Sequence, residues 1–331
     1  MNLHSLLRPP PLYLYMLGLF ALSALPGLAA DGVLEIGQTC AVQTGCHAGD
    51  APGFPVTIDQ PGSFLLTSDL GVADANLDAV QIQSDDVSID LNGFTIAGPV
   101  DCTGLGSEVS CEPSGSGRGI NQEQGDRLSV RDGRVRGFAS DGIRTGSRSR
   151  VEGLVLEANG GSGLNLSTHS IARGVTAHRN ALDGIKAGVN AVVRESAASS
   201  NLDDGIDAGA GASVVGNASY DNGGDGIEVS SGSLVRDNSA YQNEDDGIET
   251  SIGCLASDNV AYGNGSDGIE AGADSAIQRN ALRSNGGLGL NPLAADVAYR
   301  ENVIDNNVGG SVSGGLDLGA NACNGSLGCS P

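Results

Sequence analysis

Three stretches decide the reading of this chain: Asp225-Gly226-Ile227-Glu228-Val229, Asp246-Gly247-Ile248-Glu249-Thr250 and Asp267-Gly268-Ile269-Glu270-Ala271. They are near-copies, and each glycine lies 21 residues after the last. The interval extends outward in both directions. Gly142, Gly163, Gly184 and Gly205 precede these glycines and Gly289 follows, all at steps of 21, while Gly119 sits 23 residues before Gly142. Other columns keep the period. Asn159, Asn180, Asn201, Asn222, Asn243, Asn264, Asn285 and Asn306 form one. Asn217, Asn238, Asn259 and Asn280 form a second, and Tyr220, Tyr241 and Tyr262 a third, with His178 in the same column. Self-similarity at a fixed period of this size marks a solenoid.

Twenty-one residues suit three short strands joined by turns. Gly226 to Val229 and Ser233 to Arg236 alternate apolar and polar, a strand pattern. Gly, Asn and Asp hold the joins, where left-handed backbone is expected. Ile143, Ile185, Ile206, Ile227, Ile248 and Ile269 should stack inward as the core, and each Asn column should bond amide to amide between coils. The calcium-binding nonapeptide roll and the left-handed hexapeptide helix need periods that do not divide 21. Leucine-rich repeats need a Leu framework where this chain has Ile, Val and Ala. The fold class predicted is all-β, a right-handed parallel β-helix with 21-residue coils.

Composition agrees. Gly accounts for 52 of 331 residues, Trp is absent and aromatics are 3%, which suits a thin core of small and β-branched side chains. The net charge of −23 excludes general nucleic-acid binding, which needs clustered Lys and Arg. Arg8, the apolar run Leu12 to Leu25 and the small residues before Asp31 read as an export signal over 1–30, with no membrane span after its removal. The organisation expected is a cap and first coils over 31–79, coils over 80–308 with an inserted loop at 99–117, and a terminal cap or tail at 309–331. Export permits disulfides, and three close pairs offer themselves: Cys40–Cys46, Cys102–Cys111 and Cys323–Cys329. Cys254 falls in the column of Ala212, Ser233 and Ser275, so it reads as a small buried thiol.

The coils, with the upstream Val87-Ser88-Ile89-Asp90-Leu91-Asn92-Gly93-Phe94-Thr95-Ile96, resemble bacterial secreted β-helix repeat proteins of the pectin-lyase-like superfamily. The resemblance implies a secreted or periplasmic protein. It also implies a site on the outer face of the first sheet, and polysaccharide as ligand, as in lyases, hydrolases and epimerases of uronic-acid polymers. Their motifs do not carry over: Asn-Thr-Asp, Gly-His-Gly, Arg-Ile-Lys and Asp-Pro-His are all absent.

Charge is uneven along the repeat. Residues 118–194 hold twelve basic and seven acidic side chains, whereas 201–275 hold fifteen acidic and one basic, Arg236. The residue after each Ile or its equivalent runs Arg144, Asn165, Lys186, Asp207, Glu228, Glu249, Glu270. If Ile points inward, this column points outward, with four carboxylates in a row about 4.8 Å apart. At that spacing each pair repels by about 0.9 kcal/mol in water and several-fold more when shielded. Three readings follow. The row is a solvated face that keeps the protein soluble. It binds a cation, calcium being the fit for oxygen ligands, with Asp204, Asp225, Asp246 and Asp267 as metal candidates beside it, unless those Asp only cap turns. Or it is catalytic, with Asp207, Glu228 and Glu249 as candidates and the pairs Asp203-Asp204 and Asp245-Asp246 nearby. Lys186, Asp207, Glu228, Glu249 and Glu270 are the ligand-binding candidates. The Tyr column reads as ring stacking along the rod, with sugar stacking as the alternative. The function expected is binding of an extracellular or envelope polysaccharide through calcium. A polysaccharide lyase or glycoside hydrolase is the second reading and a non-catalytic surface or adhesion scaffold the third.

Overall fold

The computed structural model describes residues 32–329, so the expected export signal lies outside the described residues. The chain winds into stacked coils of three short strands, as in Ile227–Val229, Leu234–Arg236 and Ser239–Tyr241. The first strand of each coil joins a twelve-stranded parallel sheet, called here the first sheet. The second and third strands form two strips of a 24-stranded sheet. Strands Ser129–Arg136 and Arg150–Glu157 run unbroken through both strips.

The register confirms the period. Ile185, Ile206, Ile227, Ile248 and Ile269 pair in succession, and each is fully buried. Val193, Val214 and Val235 line the second wall, and Ala198, Ser219, Ala240 and Ala261 the third. The third wall is small because it faces the glycine column across a narrow gap. A Cβ on Gly226 would lie 2.9 Å from Ala240 Cβ and 2.6 Å from both Asn243 Nδ2 and Gly247 O. These glycines therefore answer a demand for close approach, and φ at Gly226 is not positive. The left-handed positions lie elsewhere, one after each strand of a coil: Gly232 (φ 72°), Asp237 (φ 57°) and Gln242 (φ 57°).

The residues that follow these corners make the ladders. Asn222 Oδ1 accepts from Asn201 N at 3.1 Å and from Asn201 Nδ2 at 2.9 Å, and the pattern repeats from Asn159 onward. The second column does the same from Asn217. The third corner carries Ser233 and Ser275, whose hydroxyls accept from the preceding coil's amide, and buried Cys254 stands between them. One expectation is corrected. Asn285 bonds Asn307, not Asn306. The spacing is 21 between Ile269 and Leu290 but 22 between Ala276 and Ala298, so one extra residue enters the intervening turn and moves the column on by one.

The expected disulfides all form. Cys40–Cys46 lies at a short helix, Gln38–Gln43, at one end of the rod. Residues 309–329 carry Gly310–Val312, the last strand of the first sheet, paired with Leu288–Pro292, and a small hairpin closed by Cys323–Cys329. The 99–117 insertion is a hairpin, Asp101–Thr103 against Ser110–Glu112, tied by Cys102–Cys111. It lies along the corner of the rod: Val100, Cys102 and Val109 pack against Ala139, Ala158, Ala181 and Leu202. At its tip Ser107 Oγ donates to Glu244 Oε1 at 2.7 Å, 137 residues away.

Candidate functional site

The column after the buried isoleucines does face outward. Lys186, Asp207, Glu228, Glu249 and Glu270 pair rung by rung along the first sheet. Strand alternation requires this, because the flanking residues Ile206 and Ala208 are both fully buried.

The turn aspartates form a second row beside it, and they do cap turns. Asp204 Oδ1 accepts from Asp225 N at 2.7 Å, Asp225 Oδ1 from Asp246 N at 2.7 Å, and Asp246 Oδ1 from Asp267 N at 2.6 Å. Asp267 continues the row on Leu288 N. This bond uses one oxygen of each carboxyl. Two of these carboxyls also meet the ladder residue of the next coil: Glu228 reaches Asp204 and Glu249 reaches Asp225. Carboxylate oxygens of Asp246, Asp267 and Glu270 come within 4.8 Å of one another, as do those of Asp225, Asp245 and Asp246, and of Asp183, Asp203 and Asp204.

Burial and crowding together hold protons here. Asp225 and Asp246 are 7% and 6% exposed. Burial, reinforced by the neighbouring Asp204 and Asp246 charges, pushes Asp225 up to about 9. Burial likewise takes Asp204 to about 8 and Asp246 to about 6. Glu228 is raised by burial and the Asp207 charge, and Glu270 by burial and the Glu249 charge. A divalent cation shared between coils would replace those protons with a charge partner and supply what the crowded oxygens lack.

Toward the start of the rod the same positions are neutralised. Asn165 Nδ2 donates to Asp141 Oδ2 at 3.3 Å. Lys186 Nζ lies 3.4 Å from Asp183 Oδ2 and also bonds Asp207. Burial opposes the Lys186 charge, yet those two carboxylates hold its pKa above the ordinary lysine value.

The tyrosine column lies on the second sheet, away from this face. The Tyr220 and Tyr241 rings stack at 4.9 Å with planes 4° apart, so their adjoining faces are spent on each other. Asp183 belongs to the coil before Asp203 and Asp204, so local spacing does not bring the three into one cluster. A column alignment of the turn aspartates could have found it.

Stacked parallel coils and Asn ladders define a right-handed parallel β-helix. The chain matches the family described as Right handed beta helix region over residues 118–259 and, overlapping, 190–324, and it belongs to that family. No curated protein matches it. Among solved structures it is similar to the A-module of the Azotobacter vinelandii mannuronan C-5 epimerase AlgE4, with TM-score 0.56, 17% identity and coverage of 85% of this chain and 89% of that one. A double mutant of the periplasmic alginate epimerase AlgG gives TM-score 0.58 at 14% identity over 87% and 82%. The pectate lyase Pel9A gives 0.53 at 14% over 90% and 81%. At these identities the likeness is one of fold.

Proposed function

We propose that this protein binds an acidic polysaccharide outside the cytoplasm, in the secreted or periplasmic space, through calcium held on the carboxylate face between Asp204 and Glu270. The observation that carries the reading is the double row itself. Turn aspartates and ladder carboxylates meet coil after coil, burial raises the pKa of Asp204, Asp225, Asp246, Glu228 and Glu270, and the one basic side chain at the row, Lys186, sits at its Asp207 end. Each cation would bridge oxygens from neighbouring coils on one side and leave coordination positions for a sugar carboxylate on the other. Without the cation, a polyanion would meet a face of its own sign. The similar structures named for alginate epimerase and pectate lyase support polysaccharide as the ligand class. The three disulfides suit an oxidising compartment. Calorimetric titration with alginate and polygalacturonate, in millimolar calcium and in EDTA, tests the reading. Binding in calcium only is expected, and equal or absent binding in both media overturns it.

An enzyme, a lyase or hydrolase, is the second reading. One observation favours it: a carboxyl that keeps its proton at neutral pH, Asp225, lies against Glu249. Against it, Asp225 is 7% exposed and already bonded to a backbone amide. Reducing-sugar and unsaturated-product assays with Asp207→Ala and Glu249→Ala decide the matter. Turnover lost in either variant supports catalysis at this face.

A further inference from the structure

The strip of third strands begins at Leu70–Gly71 and passes through Thr95–Ala97 to the second half of Ser129–Arg136. It forms a different wall of the coil from the first sheet. Its first rungs enclose a recess of about 660 Å³, lined by Asp69, Gly71, Ala97, Arg134, Arg136 and Glu157 among others. The recess exists because Gly71 and Ala97 stand in the column that Arg136 and Glu157 continue. Its floor is fixed. Gln38, on the short helix, takes the place of a further strand: Gly71 N donates to its Oε1 at 2.8 Å and its Nε2 donates to Gly71 O at 3.2 Å.

Arg134 and Arg136 flank the fully buried Val135, so both point outward. Glu157 stands in register with Arg136 but is engaged elsewhere. Its Oε1 accepts from Arg134 Nη1 at 2.6 Å, and its Oε2 meets His178 Nε2 at 2.8 Å. Arg136 is exposed, and among the described residues its side chain has no ion pair and no hydrogen bond. At the other end of the recess Asp69 Oδ1 accepts from Thr95 N at 2.8 Å, and no basic side chain among the described residues pairs with that carboxylate. On the neighbouring strip Arg131 and Arg173 do find carboxylates, Asp90 at 2.6 Å and Glu195 at 2.8 Å. The recess therefore holds one open positive and one open negative charge, on walls two rungs or about 10 Å apart.

We propose that this recess binds a zwitterionic sugar unit, an amino sugar that carries a phosphate ester. The phosphate rests on Arg136 and on the N–H groups of Arg134 that Glu157 leaves open. Three free phosphate oxygens can serve two guanidinium forks at once, whereas a carboxylate is filled by one. The ammonium pairs with Asp69. An α-amino acid is too short for walls about 10 Å apart, and Arg134 leans toward Glu157, away from Asp69. A hexose ring between the two charges supplies the length. A purely anionic sugar would face Asp69 and a purely cationic one Arg136, so each alone gains less. The choice of a sugar rests on the polysaccharide reading, but the site uses neither calcium nor the carboxylate face of the first sheet.

The test is calorimetric titration of the full chain in EDTA with glucosamine 6-phosphate, glucose 6-phosphate and glucosamine at millimolar concentrations. Glucosamine 6-phosphate is expected to bind, and each of the other two, lacking one charge, to bind roughly tenfold more weakly. Arg136→Gln should weaken glucosamine 6-phosphate by a similar factor. Asp69→Asn should erase its advantage over glucose 6-phosphate. Both side chains are exposed, so folding is not at stake. Gly71→Leu should block the site by filling the floor, since a Cβ there meets nothing within 4 Å. Asp225→Asn should leave binding unchanged, which separates failure of this site from failure of the acidic face. No binding of glucosamine 6-phosphate overturns the proposal. So does equal binding of glucose 6-phosphate by the native chain, or binding indifferent to both Arg136→Gln and Asp69→Asn.

Discussion

The coils before residue 200 and those after it share one backbone and differ in what they do with charge. Asp141 and Asp183 in the early coils meet Asn165 and Lys186. Asp204, Asp225 and Asp246 in the later coils meet the ladder carboxylates Glu228, Glu249 and Glu270 with no such neutral or basic neighbour on the ladder. The Asn ladders run through both halves without change. A solenoid thus separates two tasks. Columns that face inward or cap corners fix the coil, and columns that face outward are free to vary, because each contacts only its neighbours one rung away.

The largest effect should fall equally on both halves. Asn222→Ala orphans the amide and side-chain donors of Asn201, and Asn180→Ala those of Asn159. Each should cost about 2–5 kcal/mol in denaturant unfolding, from two unsatisfied buried donors. A large difference between the two would mean that the halves are not one scaffold.

Calcium should distinguish them. At a hundred times its Kd it would stabilise the fold by about 2.7 kcal/mol. A thermal melt should show the gain in the native chain and in Asp141→Asn, and its loss in Asp225→Asn and Asp246→Asn. Loss in Asp141→Asn as well would break the assignment to the later coils.

The proton dependence follows from the raised carboxyls. Asp204 at about 8 and Asp225 at about 9 bind protons more tightly folded than unfolded. Their contribution is full below the unfolded value of about 4 and is lost as pH rises through 8–9. In EDTA, stability should therefore fall from pH 4 to pH 9, and Asp225→Asn should flatten the fall. A melting temperature that rises with pH over that window would sink the explanation.

The smallest effect is expected at the boundary. Lys186→Gln removes a half-exposed cation between Asp183 and Asp207. It should cost under about 1 kcal/mol and should add Asp207 and Asp183 to the calcium-sensitive face, seen as a larger calcium shift in the melt.

Much of this was legible in the residues. The period placed the isoleucines inside and the acidic ladder outside, and the cysteine spacing gave the three bridges. The aspartates before glycine were ambiguous between capping and ligation, and they turn out to cap the turn amides while also crowding neighbouring carboxylates. The cause of the glycine column lies outside the repeat pattern. Asp237 and Gln242 take the left-handed turns, and Gly226 is required by the backbone passing 2.6 Å from where its Cβ would be. No local pattern reveals that distance.

By itself the sequence determined the coil, its register and the composition of each face, because a fixed period brings the same column to the same place on every turn. Only the tertiary structure decided where the aperiodic pieces come to rest. The 101–112 hairpin reaches Glu244, and the extra residue after Leu290 shifts the Asn column to Asn307. An insertion has no period to copy, so its landing place depends on the shape and chemistry of the surface that the finished coils present.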